Sequence, residues 1–401
     1  MEPKPFLRNC LWVVISVAAT LALFNILMDP YLVFGVPRVA GLNARKPAVE
    51  DQLFLMKAYD VLRVSPNTLI LGSSSVGLGL NPESTAWPDE ERPVYNLGVP
   101  NGRPLESYRY LQHATAKHRP KMIVLGLEFR DIVPFYEPTA RPEYDSRLLV
   151  TRDGAPNAAI GRQRADDLLR ATLSFDTSID GVHALLGNIV GDSSDIDHGG
   201  WDHRPYRHLA RLVGASPMFA LSDIHYSTLY PDSRVDMSSL EHVRAILDLC
   251  SKRGIEALLV IDPSYVDELE ILDFAGKWPA LEEWKRKLTA LVDEYAKSGL
   301  HAELWDFYGY DEYSTEALPE GRRSLRWFLN PVHYTHALGD VMLSRMFTGG
   351  RGSFGEKLLP ENIENHLQDV RSAQARYRQS RPKDAERVRD IYERANAMNP
   401  G

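Results

Sequence analysis

The chain has 401 residues, enough for one large α/β domain with an insertion or for two domains. Hydrophobic residues make up 44% and charged residues 25%, with a formal net charge of −8. This is the composition of a folded protein, and it lacks the basic surplus of a nucleic-acid-binding surface. The two cysteines, Cys10 and Cys250, lie in an apolar segment and a predicted helix, so we expect neither a disulfide nor a thiolate metal site.

The N-terminal segment predicts a membrane anchor. Residues 9–28 contain no charged side chain, and a helix of this length covers roughly the 30 Å of a bilayer core. Lys4 and Arg8 precede the run and Asp29 follows it. The positive-inside rule therefore predicts that residues 1–8 are cytoplasmic and that the rest lies outside the inner membrane, in the periplasm of a Gram-negative cell.

Two other interpretations of this segment compete with the uncleaved anchor. A cleaved signal peptide is one, although the run is long for it and no small-residue cleavage site follows. The other is a cytoplasmic enzyme that buries an N-terminal helix in its core.

The rest of the chain alternates strand and helix patterns. A linker and an amphipathic helix fill residues 29–64, and a charged helical tail is predicted for residues 349–401. Between them, short apolar runs separated by helical periodicity predict parallel βαβ units. The predicted strands are 68–71, 94–99, 122–127, 257–261 and 303–307.

This regularity lapses over residues 130–236, which we expect to form a cap or lid at the carboxyl edge of the sheet. The segment holds a group of acidic residues and histidines: Asp195, Asp197, His198, Asp202 and His203. Their spacing fits no strong ligand motif, so a polar surface loop is expected there, with no metal and no cofactor.

The stretch 67–80 holds the main candidate for chemistry. Its buried strand ends at Gly72 and is followed by three serines, at the sheet edge where open α/β sheets bind ligands. No lysine follows Gly77 as in a P-loop, and Pro82 stands where a dinucleotide fingerprint needs glycine. Val76 stands where the α/β-hydrolase elbow needs glycine. A serine nucleophile on another kind of turn remains, as does a set of serines that only cap the next helix.

A serine nucleophile needs a base, and His333 is the best candidate among twelve histidines. It lies just before the last helix of the domain, at the same predicted sheet edge as Ser74. Asn330, three residues earlier, could orient the imidazole through its other nitrogen. The alternative is a histidine that caps the helix or forms a hydrogen bond in the core.

Four motifs follow one another along the chain: Leu-Gly-Ser-Ser at 71–74, Asn-Leu-Gly at 96–98, Val-Leu-Gly-Leu-Glu at 124–128 and Asn-Pro-x-His at 330–333. This order resembles the SGNH/GDSL hydrolase superfamily over about residues 65–348. The most similar branch is the membrane-anchored bacterial one, which includes the D-alanyl-transfer protein DltD and the alginate O-acetylation proteins. The resemblance implies a three-layer α/β/α domain with a flavodoxin-like, five-stranded parallel sheet, and ester chemistry through an acyl-serine intermediate.

The resemblance also assigns roles to residues. Ser74 matches the nucleophile and His333 the base, while Asn330 stands where the family usually has an aspartate. The backbone N–H groups of Ser74 and Gly98 would hold the oxyanion. The family's oxyanion asparagine is missing from the third motif, and Asn101 could substitute for it.

The asparagine at position 330 is the most serious departure from the family pattern. In a serine protease, the aspartate-to-asparagine change costs about 10⁴ in rate, because the tautomer is wrong and a countercharge is lost. Asp306 or Glu128 could supply the missing carboxylate.

Two functions are therefore expected from the sequence. The first is a membrane-anchored esterase or O-acyltransferase that acts on acyl groups, most plausibly O-acetyl groups, of cell-envelope polysaccharide. Its partners would be an acylated carbohydrate or small ester and the lipid bilayer, with a membrane-bound acyl-donor protein as a further option. The second is an inactive domain of the same type that binds glycans or scaffolds an export complex.

Overall fold

A computed structural model describes residues 3–133, 145–190, 199–201, 214–349 and 354–398. The chain divides into two compact units. Unit 1 comprises residues 1–64 and 141–204, and unit 2 comprises residues 65–140 and 205–401. The predicted insertion, residues 130–236, is thus shared between them. The acidic and histidine cluster predicted at 195–203 falls on residues outside the described ranges.

The helices are defined by these bounds: α1 (Pro3–Met28), α2 (Leu53–Val64), α3 (Ser74–Gly79), α4 (Pro104–Thr115), α5 (Ile160–Leu173), α6 (Phe175–Val190), α7 (Ala215–Leu229), α8 (Ser239–Arg253), α9 (Val266–Phe274), α10 (Trp278–Lys297), α11 (His336–Thr348), α12 (Ile363–Ser380) and α13 (Pro382–Met398). Short 3₁₀ helices cover Pro47–Gln52, Asp89–Glu91 and Phe129–Ile132. The strands are β1 (Thr68–Leu71), β2 (Val94–Asn96), β3 (Met122–Leu127), β4 (Glu256–Ile261), β5 (Ala302–Asp306), β6 (Phe328–Asn330), β7 (His333–Tyr334) and β8 (Glu356–Lys357).

Unit 1 is helical in its described part and contains the predicted anchor. Within the described ranges, α1 alone is long and apolar enough to cross a membrane, over Pro5–Met28. Nearly all of this segment is exposed. An N-terminal helix buried in a protein core, the third interpretation of the sequence, is therefore not what the structure contains. The last turn of α1 packs against α5 and α6.

Unit 2 is an α/β fold around a mixed sheet of six strands, ordered β2-β1-β3-β4-β5-β8. The first five are parallel, as the βαβ pattern predicted. Strands β1 and β3 occupy the bounds predicted from their apolar runs, and every residue in them is buried. Continuous apolar runs give this result because a central parallel strand is covered on both faces.

Strand β8 was not predicted. It pairs antiparallel with β5 through Trp305–Lys357 and Asp306–Glu356, which makes the sheet mixed rather than purely parallel. Glu356 and Lys357 carry no strand pattern, because an edge strand of two charged residues is defined by its neighbour and not by its own apolar content.

The C-terminal tail is part of unit 2. Val388 of α13 is fully buried, and Tyr377 of α12 belongs to the same hydrophobic core as the sheet residues. The few apolar residues of the tail therefore suffice to bury one face of each helix.

The connection of the strands determines where a site can form. From β1 the chain goes to β2 on one side and then crosses to β3 on the other. Such a reversal opens a crevice at the carboxyl ends of β1 and β3, which is where ligands bind in open α/β sheets. Ser73 and Ser74 follow β1, and Glu128 follows β3.

Candidate active site

The three serines after β1 form the start of the short helix α3. Ser73 is the N-cap residue, and its Oγ accepts a hydrogen bond from Ser75 N (3.0 Å). Ser74 is the first helical residue and is half-buried, whereas Ser75 is fully buried with its Oγ donating to Val332 O (2.9 Å). Ser73 and Ser75 are thus engaged in hydrogen bonds at the start of the helix, whereas Ser74 faces the crevice.

Glycines allow this turn to pass close to neighbouring backbone. Gly72 has φ +140°, and a Cβ there would lie 3.0 Å from Gly126 O on β3. A Cβ at Gly98 would lie 2.7 Å from Ser73 O. Only glycine fits at these two positions, so the serine turn is locked against the ends of β2 and β3.

His333 lies directly opposite Ser74. The hairpin β6–β7 pairs Asn330 with His333 across a two-residue turn and carries the imidazole to the sheet edge. Ser74 Oγ is 2.8 Å from His333 Nε2, and His333 Nδ1 is 3.0 Å from Asn330 Oδ1. The predicted serine, histidine and asparagine therefore form one hydrogen-bonded chain.

Asn330 determines the tautomer of His333. Its Oδ1 accepts hydrogen bonds from the backbone N–H groups of Val332 (3.1 Å) and His333 (3.0 Å). Because two donors already face this atom, it must be the amide oxygen and not the NH₂ group. His333 Nδ1 consequently carries the hydrogen, and Nε2 presents its lone pair to the hydroxyl of Ser74.

Glu128 contributes a negative charge to the hydrogen-bonded chain Ser74–His333–Asn330. Its Oε1 accepts from Ser73 Oγ (2.6 Å), and its Oε2 pairs with Arg130 (2.6 Å). Burial raises the pKa of Glu128, but the charge of Arg130 and the hydrogen bond from Ser73 outweigh it and hold the pKa below its usual range. His333 also acts electrostatically on Glu128. An ionised carboxylate therefore lies near the base.

Arg130 is fixed in turn by a buried network. Its guanidinium also pairs with Glu268 (3.2 Å), which accepts hydrogen bonds from Tyr230 OH (2.6 Å) and Tyr308 OH (3.1 Å). These contacts hold the Arg130–Glu128 pair in place at the carboxyl end of β3.

Asp306, the other candidate for the missing carboxylate, forms its hydrogen bonds with residues outside this site. It ends β5 and binds Lys285 Nζ (2.6 Å), His366 Nε2 (2.8 Å) and the backbone N–H of Tyr308 (2.9 Å). It lines a separate cavity of about 350 Å³, next to α12. The partner of His333 Nδ1 is Asn330, so Asp306 does not take the place of the missing aspartate.

The Ser74–His333 pair opens into a cavity of about 230 Å³. The cavity is polar, with hydroxyl, amide, carboxylate, guanidinium and imidazole groups on its walls. Its further lining residues include Asn101, Arg103, Glu128, Arg130, Asp131 and Tyr226. His225 and Tyr226 come from α7, which lies in the predicted cap segment.

The predicted oxyanion donors differ in their availability. The Gly98 N–H donates to Asn96 Oδ1 (2.8 Å), so this hydrogen already has an acceptor, and Gly98 is not among the cavity residues. Asn101 lines the cavity, is exposed and has a left-handed backbone, with φ +52°. Ser74 also lines the cavity. The oxyanion assignment remains a prediction for Ser74 and Asn101, and for Gly98 it would require Asn96 to turn away.

Two buried carboxyl groups that interact with Glu128, Asp131 on the cavity wall and Asp262, have raised pKa values. Burial, followed by the charge of Glu128, raises the pKa of Asp131 to about 8. The same two causes, in the same order, raise the pKa of Asp262 well above its usual range, and Tyr334 OH donates to Asp262 (3.1 Å). Glu128 is thus the carboxylate of this group that keeps its charge at neutral pH.

Several cavity residues were not predicted from the sequence. Arg130 and Asp131 follow Glu128 just after the end of a predicted central strand. Because ligands bind at the carboxyl ends of such strands, this position could have identified both as site residues. His225 and Tyr226 lie on a helix with no motif of its own. Only the folding of α7 over the crevice identifies them.

Comparison of the chain with models of known protein families finds no match, and no curated protein matches its sequence significantly. What is established about the site is therefore its geometry: a hydroxyl, an imidazole of fixed tautomer and an ionised carboxylate at the switch point of an α/β sheet.

Proposed function

We propose that this protein is a membrane-anchored esterase or O-acyltransferase of the SGNH type, with its catalytic domain outside the cytoplasm. Its substrate would be an acyl ester, in particular an O-acetyl ester, of a cell-envelope polysaccharide. The observation that carries the proposal is the hydrogen-bonded chain Ser74–His333–Asn330 at the mouth of the polar cavity. The SGNH-type order of the motifs and the apolar helix α1 support it.

The geometry supports a two-step acyl transfer. His333 Nε2 accepts the proton of Ser74 as Oγ attacks the ester carbonyl. The imidazolium then protonates the departing alkoxide oxygen, and the acyl group stays on Ser74. In the second step His333 takes a proton from water, which gives hydrolysis, or from an acceptor hydroxyl, which gives transfer.

Asn330 and Glu128 would share the task that one aspartate performs in other serine enzymes. Asn330 fixes the Nδ1–H tautomer, which an asparagine does not normally ensure. Glu128 adds negative charge near the imidazolium that forms in each step. The oxyanion would be held by the N–H of Ser74 and the side-chain amide of Asn101.

A second function is favoured by one specific observation. The Gly98 N–H already bonds to Asn96 Oδ1, so one of the oxyanion donors that the family pattern implies is engaged elsewhere. A domain that binds acylated glycans without cleaving them would tolerate this loss.

The test uses the full-length protein in detergent or nanodiscs with p-nitrophenyl acetate and a fluorophosphonate probe. We expect Ser74→Ala to lower kcat at least about 10³-fold, because the nucleophile carries most of the catalysis, and to abolish labelling. Mass spectrometry of the labelled wild type should place the adduct on Ser74 and not on Ser73 or Ser75. Ser222→Ala, which changes a hydroxyl on α7 bonded only within its own helix, is the matched control. Unchanged turnover in Ser74→Ala would refute the esterase, and an unlabelled but folded wild type would favour the binding domain.

A further inference from the structure

Helix α6 is amphipathic in the opposite sense from a helix of a water-soluble protein. Its buried residues are small: Thr177, Ser178, Gly181 and Ala184. Its exposed residues include most of its large apolar side chains: Phe175, Ile179, Val182, Leu186, Ile189 and Val190. Their spacing of three and four places them in one stripe, roughly 100° wide. In water the large groups should be the buried ones, because burial gains about 25 cal/mol per Å² of apolar surface.

The small residues of α6 allow a close approach to the anchor helix. A Cβ added at Gly181 would lie 2.9 Å from the ring of Phe24 and 3.3 Å from Met28 Cβ. Small residues at a helix crossing, with large apolar groups facing outwards, are typical of helices that pack within a membrane.

Polar contacts place the crossing of α1 and α6 at the C-terminal end of α1. Asn25, in the last turn of α1, is fully buried, and its Nδ2 donates to Thr172 O at the α5–α6 turn (2.9 Å). Near the other end of α6, Asn188 exchanges two hydrogen bonds with the backbone of Arg45 (both 2.9 Å). The α5–α6 hairpin is therefore fixed where α1 ends.

Helices α5 and α1, which both pack against α6, also expose apolar side chains. Helix α5 exposes Leu168, Leu169 and Leu173, and α1 exposes Leu23 and Leu27 next to Asn25. Scattered exposed apolar residues are ordinary, but this many on three helices that pack against one another indicate a contact site.

We propose that the α5–α6 hairpin lies in the boundary between headgroups and acyl chains of the outer leaflet, with the apolar stripe of α6 in contact with lipid. Lipid is the occupant because α6 packs against the last turn of α1, the proposed anchor, whose exposed apolar surface would itself lie in the bilayer. At 16 residues α6 is about 24 Å long, too short to span a bilayer core of about 30 Å, but suited to lie along its surface. The inference rests on α1 being the membrane anchor of the proposed function. It adds that unit 1 has a second membrane contact.

Site-directed spin labelling of the full-length protein in nanodiscs of phosphatidylcholine and phosphatidylglycerol tests this. Single cysteines replace Val182 or Leu186 in a Cys10→Ser background, in which the remaining Cys250 is fully buried. Val14 on α1 reports on the anchor, and Lys287 on α10 is the exposed aqueous control. Collision rates with oxygen, which concentrates in lipid, and with a water-soluble nickel complex are measured at each position.

We expect labels at Val182 and Leu186 to collide several-fold more with oxygen and several-fold less with nickel than the label at Lys287. Values equal to those at Lys287, with Val14 in lipid, would overturn the hairpin contact and leave the anchor intact. An aqueous Val14 would overturn the anchor and this inference together. Dipolar broadening at Val182 that disappears on dilution with unlabelled protein would show a second copy on this face and refute the lipid contact.

Discussion

At the scale of single residues, Asn330 is the position that most affects the chemistry. An aspartate in its place would fix the tautomer of His333 and also stabilise the imidazolium by its charge. Asn330 does the first through an oxygen held by two backbone N–H groups, and it lacks the second. The ionised Glu128 interacts electrostatically with His333, and a carboxylate in direct contact with Nδ1 would add to the negative charge that Glu128 supplies.

Asn330→Asp should therefore increase activity. A carboxylate in contact with Nδ1 raises the pKa of an imidazole by about 1–3 units, because it favours the charged form. We expect the acidic limb of the kcat/KM profile to move to higher pH and the plateau to rise. Ester hydrolysis measured from pH 5 to 9 checks both.

Asn330→Ala and Glu128→Gln separate the two contributions. Asn330→Ala frees the tautomer and should lower the plateau. Glu128→Gln keeps an acceptor for Ser73 but removes the charge, so the acidic limb should move to lower pH. The acidic limb is expected to move in opposite directions in Asn330→Asp and Glu128→Gln. If it lies at the same pH in the two variants, the electrostatic roles given to both positions are contradicted.

At the scale of elements, α7 connects the cavity to the C-terminal tail. It carries His225 and Tyr226 on the cavity wall and Asp223 on its buried side. Arg387 of α13 binds Asp223 (3.2 Å) and Asp267 of α9 (2.5 Å). A residue remote in sequence thus holds the helix that closes one side of the cavity.

Arg387→Leu should destabilise unit 2 and loosen α7. Removing the cation leaves two buried carboxyl groups without their partner, and breaking such a buried pair costs about 3–5 kcal/mol. Below the unfolding transition we expect KM to rise more than kcat falls, since Ser74 and His333 are untouched. Denaturant unfolding and steady-state kinetics measure the two effects.

Arg394→Leu, on the same helix with an exposed partner at 3.7 Å, is the control, and it should change stability by less than about 0.5 kcal/mol. A fall in kcat with an unchanged KM in Arg387→Leu would show that the tail does not act through the cavity wall.

At the scale of the whole molecule, the pair Lys285–Asp306 joins α10 to the end of β5 inside unit 2. Both side chains are almost fully buried, and Nζ lies 2.6 Å from the carboxylate. Burial raises the pKa of Asp306, but the charge of Lys285 and the bond from His366 lower it to about 2, below the ordinary 3.8. Its contribution to stability is therefore full above about pH 4 and is lost as the pH falls through 2.

Lys285→Met should cost about 3–5 kcal/mol of unfolding free energy at pH 7, because it leaves a buried carboxylate without its cation. The difference from wild type should shrink on acidification, as Asp306 takes up a proton in the variant. Guanidinium unfolding at pH 7 and pH 4 measures it.

Lys287→Met is the matched control, two residues away on α10 with an exposed partner at 3.6 Å, and should be nearly neutral. A double variant, Lys285→Met with Asp306→Asn, should recover part of the loss, since a neutral amide needs no countercharge and its oxygen can still accept from His366 or the Tyr308 N–H. A cost for Lys285→Met as small as that of Lys287→Met would refute this role of the pair.

The local sequence determined the elements whose pattern is continuous. The apolar runs at Thr68–Leu71 and Met122–Leu127 each predict a buried strand, because a strand covered on both faces is apolar at every position instead of alternating with polar residues. The charge-free run to Met28 predicts a helix long and apolar enough to span a membrane. The order of strands and helices also predicts that Ser74 and His333 reach the same sheet edge, because parallel strands end together.

Only the tertiary structure decided which groups surround Ser74 and His333 and how the sheet ends. Strand β8 has no pattern of its own and exists because β5 offers an open edge. Glu128 and Asp306 both follow strand ends, yet Arg130 and Ser73 bring one to the site, while Lys285 and His366 hold the other in a separate cavity. These outcomes depend on partners far away in the chain, and the properties of a residue and its neighbours in sequence do not contain that information.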